Sequence, residues 1–235
     1  MKDSLIMFNE YIRSDNSLLH WVNVKREWNE EAFIKMVYLI QNVEEDYQNE
    51  YYYPKQFIKY FDDEIPKLIN SIYGISVCVQ YNKETYMAMI EDKQQQLNRL
   101  YWGFFRTLDM DWNNKDFSMK DSVIHFYEYY ISEEELLYWI RSNAGWNEDI
   151  FIKFKEIAIE LIKDFENEDY YPKLIVNYFM HIIPSILNII SHYKCCSEKE
   201  YLEGYTDETY IIMIKDRVEQ LKELGKKFSN SLYSI

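Results

Sequence analysis

The chain has 235 residues, 48% apolar and 28% charged, with only five Gly and four Pro; it can bury a core without a disulfide or metal staple and carries too little loop chemistry for much β-structure. Forty acids against 26 bases give a formal net charge of −14, which disfavours direct nucleic-acid binding, because phosphate backbones are held chiefly by Lys and Arg, and favours a basic protein partner. Three cysteines, two of them adjacent at Cys195 and Cys196, fit neither a disulfide framework nor a metal site, so reduced thiols in the cytoplasm are expected.

The first residues, MKDSLIMFNEYIRSD, reach acid at Asp3 and Glu10 before any apolar run of signal-peptide length. No later stretch reads as the ~20 apolar residues of a membrane span, so the expectation is a soluble protein without a visible export signal. Asn29 followed by Glu30 and Glu31 predicts a helix N-terminus, and Phe33, Val37, Ile40, Val43 and Tyr47 continue it with helical spacing. Pro54 suits the first turn of the next helix, where Phe57, Phe61, Ile65, Leu68, Ile69 and Ile72 form one apolar stripe. Pro66 is expected to kink or divide that helix. From Thr85, the run Tyr86, Met87, Ile90, Leu97, Leu100, Tyr101 and Phe104 predicts a long closing helix.

The same pattern then starts again. MKDSLIMFNEY at Met1 returns as MKDSVIHFYEY at Met119, WNEEAFIK at Trp28 as WNEDIFIK at Trp146, and NEYYYPK at Asn49 as NEDYYPK at Asn167. The offset of 118 gives 31 identities in the first 72 columns, and after a six-residue insertion near Cys195 to Gly204 the match resumes at offset 124, with YNKETYMAMIED at Tyr81 against YTDETYIIMIKD at Tyr205. The reading is an all-α tandem duplication with about five helices per repeat: a first repeat over 1–100, a joint over 101–118 and a second repeat over 119–235. The 118-residue period exceeds that of the common helical solenoids, so a pseudo-twofold pair is preferred to a short solenoid.

Few residues carry chemistry. None of His20, His125, His181 and His192 has Glu three positions before it, as a di-iron bundle would need. Asp62, Asp63 and Glu64 form an acid cluster of the kind that holds Mg²⁺, but Met180, His181 and Ile182 replace it in the second repeat. No phosphate-cradling or nucleophile-elbow motif occurs. No catalytic residue, metal or cofactor is therefore assigned, and the expected function is not enzymatic.

Where acid and aromatic residues coincide, a protein surface is the better reading. Tyr anchors contacts while carboxylates pair with a partner's Lys and Arg. The candidate partner-binding residues are Glu44, Glu45, Asp46, Glu50 and Tyr51 in the first repeat. Asp109, Asp111, Trp112 and Asp116 in the joint, and Glu166, Glu168 and Asp169 as the second repeat's counterpart, complete the set.

An acidic, helical chain rich in Tyr, Ile, Lys and Glu, with these WNE and YYP segments, resembles the immunity proteins of bacterial polymorphic toxin systems, including contact-dependent growth inhibition. The likeness is one of overall style across the whole chain. It implies a non-enzymatic protein that binds a cognate toxin domain, often a basic nuclease, and blocks its active site or substrate surface; a cytoplasmic monomer or homodimer is expected. A helical scaffold or adaptor is the alternative from another class, and a Mg²⁺-dependent helical enzyme is a third.

Overall fold

A computed structural model describes residues 1–72, 75, 83–108, 119–143, 145–191 and 206–233. They fall into two compact units, Met1–Met110 and Asp111–Ile235. In the first, α1 (Asp3–Ile12) is followed by a short α2 (Leu18–His20) that runs into a π-helical turn, π1 (Trp21–Lys25). The long α3 (Glu30–Tyr47) leads to an extended segment β1 (Tyr52–Pro54), α4 (Lys55–Lys59), a second π-turn π2 (Tyr60–Glu64), α5 (Ile65–Ser71) and α6 (Lys83–Arg106). The second unit contains α7 (Asp121–Tyr130), α8 (Leu136–Asn143), α9 (Glu148–Phe165), β2 (Tyr170–Pro172), α10 (Lys173–Asn177), π3 (Tyr178–Ile182), α11 (Ile183–Ser191) and α12 (Asp207–Ser231). The chain is thus all-α apart from two three-residue extended segments among the described residues.

The residues that the two halves of the sequence share have local structural jobs. Asn29 and Asn147 cap α3 and α9, their side chains accepting from the N–H of Ala32 (2.8 Å) and Ile150 (3.1 Å). The indole N–H of Trp28 donates to Glu30 at 2.8 Å, and that of Trp146 to Glu148 at 3.0 Å. Each glutamate then takes a cation from the closing helix of its unit, Lys93 at 2.9 Å and Arg217 at 2.8 Å. The WNE triplet is therefore a helix start tied to the last helix, which is reason enough for its recurrence.

Proline acts at both of its predicted places, with a difference in detail. Pro54 and Pro172 sit one residue earlier than expected, at the N-caps of α4 and α10 with extended backbone. Pro66 divides its helix through a widened turn. The N–H of Ile65 bonds the carbonyl of Tyr60, five residues back, and Ile183 does the same to Tyr178 ahead of Pro184. A proline ring clashes with the carbonyl four residues before it and has no N–H to donate to it, so one extra residue in the preceding turn relieves both problems.

Each unit closes on aromatic rings. Phe8 packs edge-on against Phe57 (5.3 Å between centroids) and Tyr60 (5.1 Å), and Phe61 stacks on Phe104 at 4.1 Å. In the second unit Phe126 and Phe154 meet Tyr178 at 5.2 and 5.1 Å, and Phe179 stacks on Phe228 at 4.6 Å. These rings hold α1, α4 to α5 and α6 together in one unit, and α7, α9, α10 to α11 and α12 in the other. The continuous helical segment Lys173–Ser191 is long and apolar enough to cross a membrane by length and composition, contrary to the sequence expectation, with mean hydropathy 1.6; half of it is buried inside the structure. Tyr101 to Arg106, assigned to the joint, belong to α6.

Candidate protein-binding surface

The periodicity that buries Phe33, Met36, Ile40, Val43 and Tyr47 leaves the opposite face of α3 in solvent. That face carries Glu31, Ile34, Tyr38, Gln41 and Glu45, three or four residues apart and all exposed. Ile34 and Tyr38 are large side chains at 59% and 58% exposure. Asp46, at the helix end, is exposed beside Glu45. The amine of Lys35, on the same helix, lies 5.6 Å from the centre of the Tyr11 ring.

The remaining predicted residues of this stretch differ from one another. Glu50 is exposed but held at home: the amine of Lys2 pairs with it at 2.8 Å, donates to the carbonyl of Asp46 and sits 4.5 Å from the centre of the Tyr47 ring. Tyr51 is half-buried in the turn that follows. Glu44 is no surface charge. It lines a cleft of about 400 Å³ between α3 and α6, beside Phe33, Val37, Gln96 and Leu100, and burial pushes its carboxyl up to about 7. The second unit puts Ile162 at this position, so the fold itself does not need an acid there.

Glu168 repeats the arrangement of Glu50, paired with Lys120 at 2.6 Å while the same amine bonds the carbonyl of Asp164 and lies 4.7 Å from the Phe165 ring centre. Glu166 and Asp169 are exposed. On α9 the outer face has Ile152 and Ile159 at 40% and 41% exposure, with Glu156 where α3 has Tyr38. Asp109, Asp111, Trp112 and Asp116 lie outside the described residues, as does the insertion with Cys195 and Cys196. The structure therefore brings Glu45 and Asp46 together with an aromatic and an aliphatic anchor that sequence reasoning did not single out, although their spacing from Glu31 to Glu45 was the available signal.

Of the acid cluster on π2, Asp63 pairs with Lys67 at 2.5 Å and Glu64 approaches the same amine at 3.8 Å. Among the described residues no group of three or more His, Cys, Asp or Glu side chains converges as metal ligands would. One buried carboxylate was missed entirely. Glu135, at the position of Ser17, accepts from the N–H groups of Leu137 (3.0 Å) and Tyr138 (2.7 Å) and from the hydroxyl of Tyr178 (2.5 Å), so it caps α8 and is a structural group. Lys55 and Lys173, last in the shared YYPK motif, are also wholly buried.

The half-buried Glu44 gives a measurable pH dependence. Below about pH 4.5 both folded and unfolded chains hold its proton; between there and pH 7 the folded chain keeps a proton that the unfolded chain releases, so stability falls as pH rises and the penalty is complete above 7. Glu44→Gln is therefore expected to stabilise the protein by about 2 kcal/mol at pH 8, less than the full shift because the group is partly solvated, and by almost nothing at pH 4. Urea unfolding at the two pH values checks this; an equal gain at both would remove the titration as its cause.

Comparison with known protein families, with characterised proteins and with solved structures finds no match to this chain.

Proposed function

We propose that this chain is a non-enzymatic binding protein that captures a cationic protein on the solvent face of α3, as an immunity protein does its toxin domain. The observation that carries the reading is the pair Ile34 and Tyr38, each more than half exposed, bracketed along one helix face by Glu31 and by Glu45 with Asp46. An exposed aromatic beside an aliphatic gives a desolvated anchor, and a rim of carboxylates steers a basic partner and fixes its register. The net charge of −14 favours the same partner class over long range. Glu50 and Glu44 are not part of this surface, since one is paired with Lys2 and the other is half-buried in the cleft between α3 and α6.

The test is a titration, at low and high salt, with a cationic toxin domain that the chain neutralises. Tyr38→Ala is expected to weaken binding by about 2 kcal/mol or more through dissociation. Glu45→Lys with Asp46→Lys is expected to slow association at low salt and much less at high salt. Unaltered rates in both variants would place the partner elsewhere.

A further inference from the structure

The cleft of about 400 Å³ between α3 and α6 holds a carboxylate that nothing in the first unit pairs. Val37, Leu100 and Gly103 lie along it, Gln41 and Arg99 stand exposed at its edge, and Glu44 is half-buried within it. Among the described residues the Glu44 carboxyl has no hydrogen bond and no ion pair, and no cation offsets the burial that pushes it up. An accessible carboxylate desolvated without a counter-charge costs stability, so its presence calls for an explanation.

The second unit shows what stands in the corresponding groove, between α9 and α12. Lys155 comes 118 residues after Val37, and Lys227 comes 124 after Gly103. The amine of Lys155 crosses to Gln220 on α12 at 3.0 Å and lies 5.6 Å from the centre of the Phe151 ring. Lys227 lines the groove beside Ile162, which takes the place of Glu44. That groove is served by lysines of its own chain and has no acid at this point. In the first unit Val37 and Gly103 supply no cation, the space where a side chain on Gly103 would start is open to 4 Å, and the acid is present. The exchange leaves room and charge for a cation brought from outside.

We propose that this cleft is a socket for a lysine side chain of the partner, with the ammonium on Glu44 and the four-carbon stem on Val37 and Leu100. The inference rests on the proposed capture of a cationic protein and adds a socket beside the solvent face of α3, with Gln41 common to both. Lysine fits better than arginine, because an ammonium is a point charge that one carboxylate satisfies, whereas a guanidinium fork calls for a planar, bidentate partner. Its stem packs on apolar surface while its head stays with the charge.

Two titrations of the full chain at pH 8, where Glu44 is ionised, test the socket and the α3 face separately. The first uses Nα-acetyl-L-lysine methylamide at millimolar concentration, followed by amide NMR. Shifts are expected in Val37 to Glu44 and Leu100 to Gly103, and Glu44→Gln or the uncharged norleucine analogue is expected to weaken binding at least about tenfold. Gly103→Lys, which restores the second unit's residue, is expected to weaken it as much, and Gly103→Ala to leave it intact. The second titration uses a cationic toxin domain that the chain neutralises, with about tenfold weaker binding expected for Glu44→Gln and for Gly103→Lys. Because Glu44→Gln is expected to fold more stably, lost affinity is not lost structure. Probe binding indifferent to Glu44→Gln, or equal binding of the norleucine analogue, would overturn the socket. Toxin affinity unchanged by Glu44→Gln and Gly103→Lys while Tyr38→Ala still weakens it would also overturn the socket and leave the α3 face standing.

Discussion

Glu135→Ala is expected to destabilise the second unit by about 3 kcal/mol or more. Glu135 is 7% exposed, and its two oxygens serve the first turn of α8 and the Tyr178 hydroxyl together. Removing it deletes a helix cap, worth about 1 kcal/mol, and takes the carboxylate acceptor from a buried phenol, which is left to the Tyr129 hydroxyl, at a cost of about 1–3 kcal/mol more. Tyr178 has no easy escape, since its ring is wedged between Phe126 and Phe154. Glu135→Gln keeps one acceptor oxygen and should cost only about 1 kcal/mol. Chemical unfolding followed by circular dichroism distinguishes the two variants; a loss under about 0.5 kcal/mol for Glu135→Ala would show that the carboxylate is a bystander.

Phe61→Ala is expected to cost the first unit about 3–5 kcal/mol, the usual range for emptying a fully buried ring site. Phe61 is unexposed, stacks on Phe104 and meets Phe57 edge-on at 5.3 Å. Because it leaves π2 toward α6, its loss also frees the closing helix from the divided one. Phe104→Ala should behave similarly, and the double variant should cost less than the two singles together by about 1 kcal/mol, the coupling of a stacked pair. Additive losses measured in the same unfolding experiment would mean that the two rings are held independently of each other.

Much of this architecture can be read from the chain because its signals are local. Asn29 and Asn147 cap, Pro66 and Pro184 break, and the spacing of Phe33, Ile40, Val43 and Tyr47 turns α3 inward; each needs only a few neighbouring residues to act. The π-turns escape such reading, since a proline tells that a helix is interrupted but not that one extra residue in the turn before it absorbs the break. Glu135 escapes because its value lies in Tyr178, 43 residues away.

The surface is harder to read than the fold. Acidic runs such as Glu44, Glu45 and Asp46 look uniform in sequence, yet helix geometry sends Glu44 to the flank of Ile40 and Val37 while its neighbours face water. The Ile at position 162 carried that information. Glu50 looked free because its partner, Lys2, stands 48 residues earlier in the chain. Both cases show that a charge run becomes a candidate interface only after burial and internal pairing have removed some of its members.

The most direct measurement is the survival of cells expressing a cationic toxin domain that the unaltered chain neutralises, protected by one of two variants. The first combines Tyr38→Ala, Glu45→Lys and Asp46→Lys; the second combines Glu166→Lys, Glu168→Lys and Asp169→Lys. With both variants shown to fold and to accumulate equally, protection is expected to fail with the first and persist with the second. Full protection by the first variant, or its loss only in the second, would contradict the assignment of the working surface to α3.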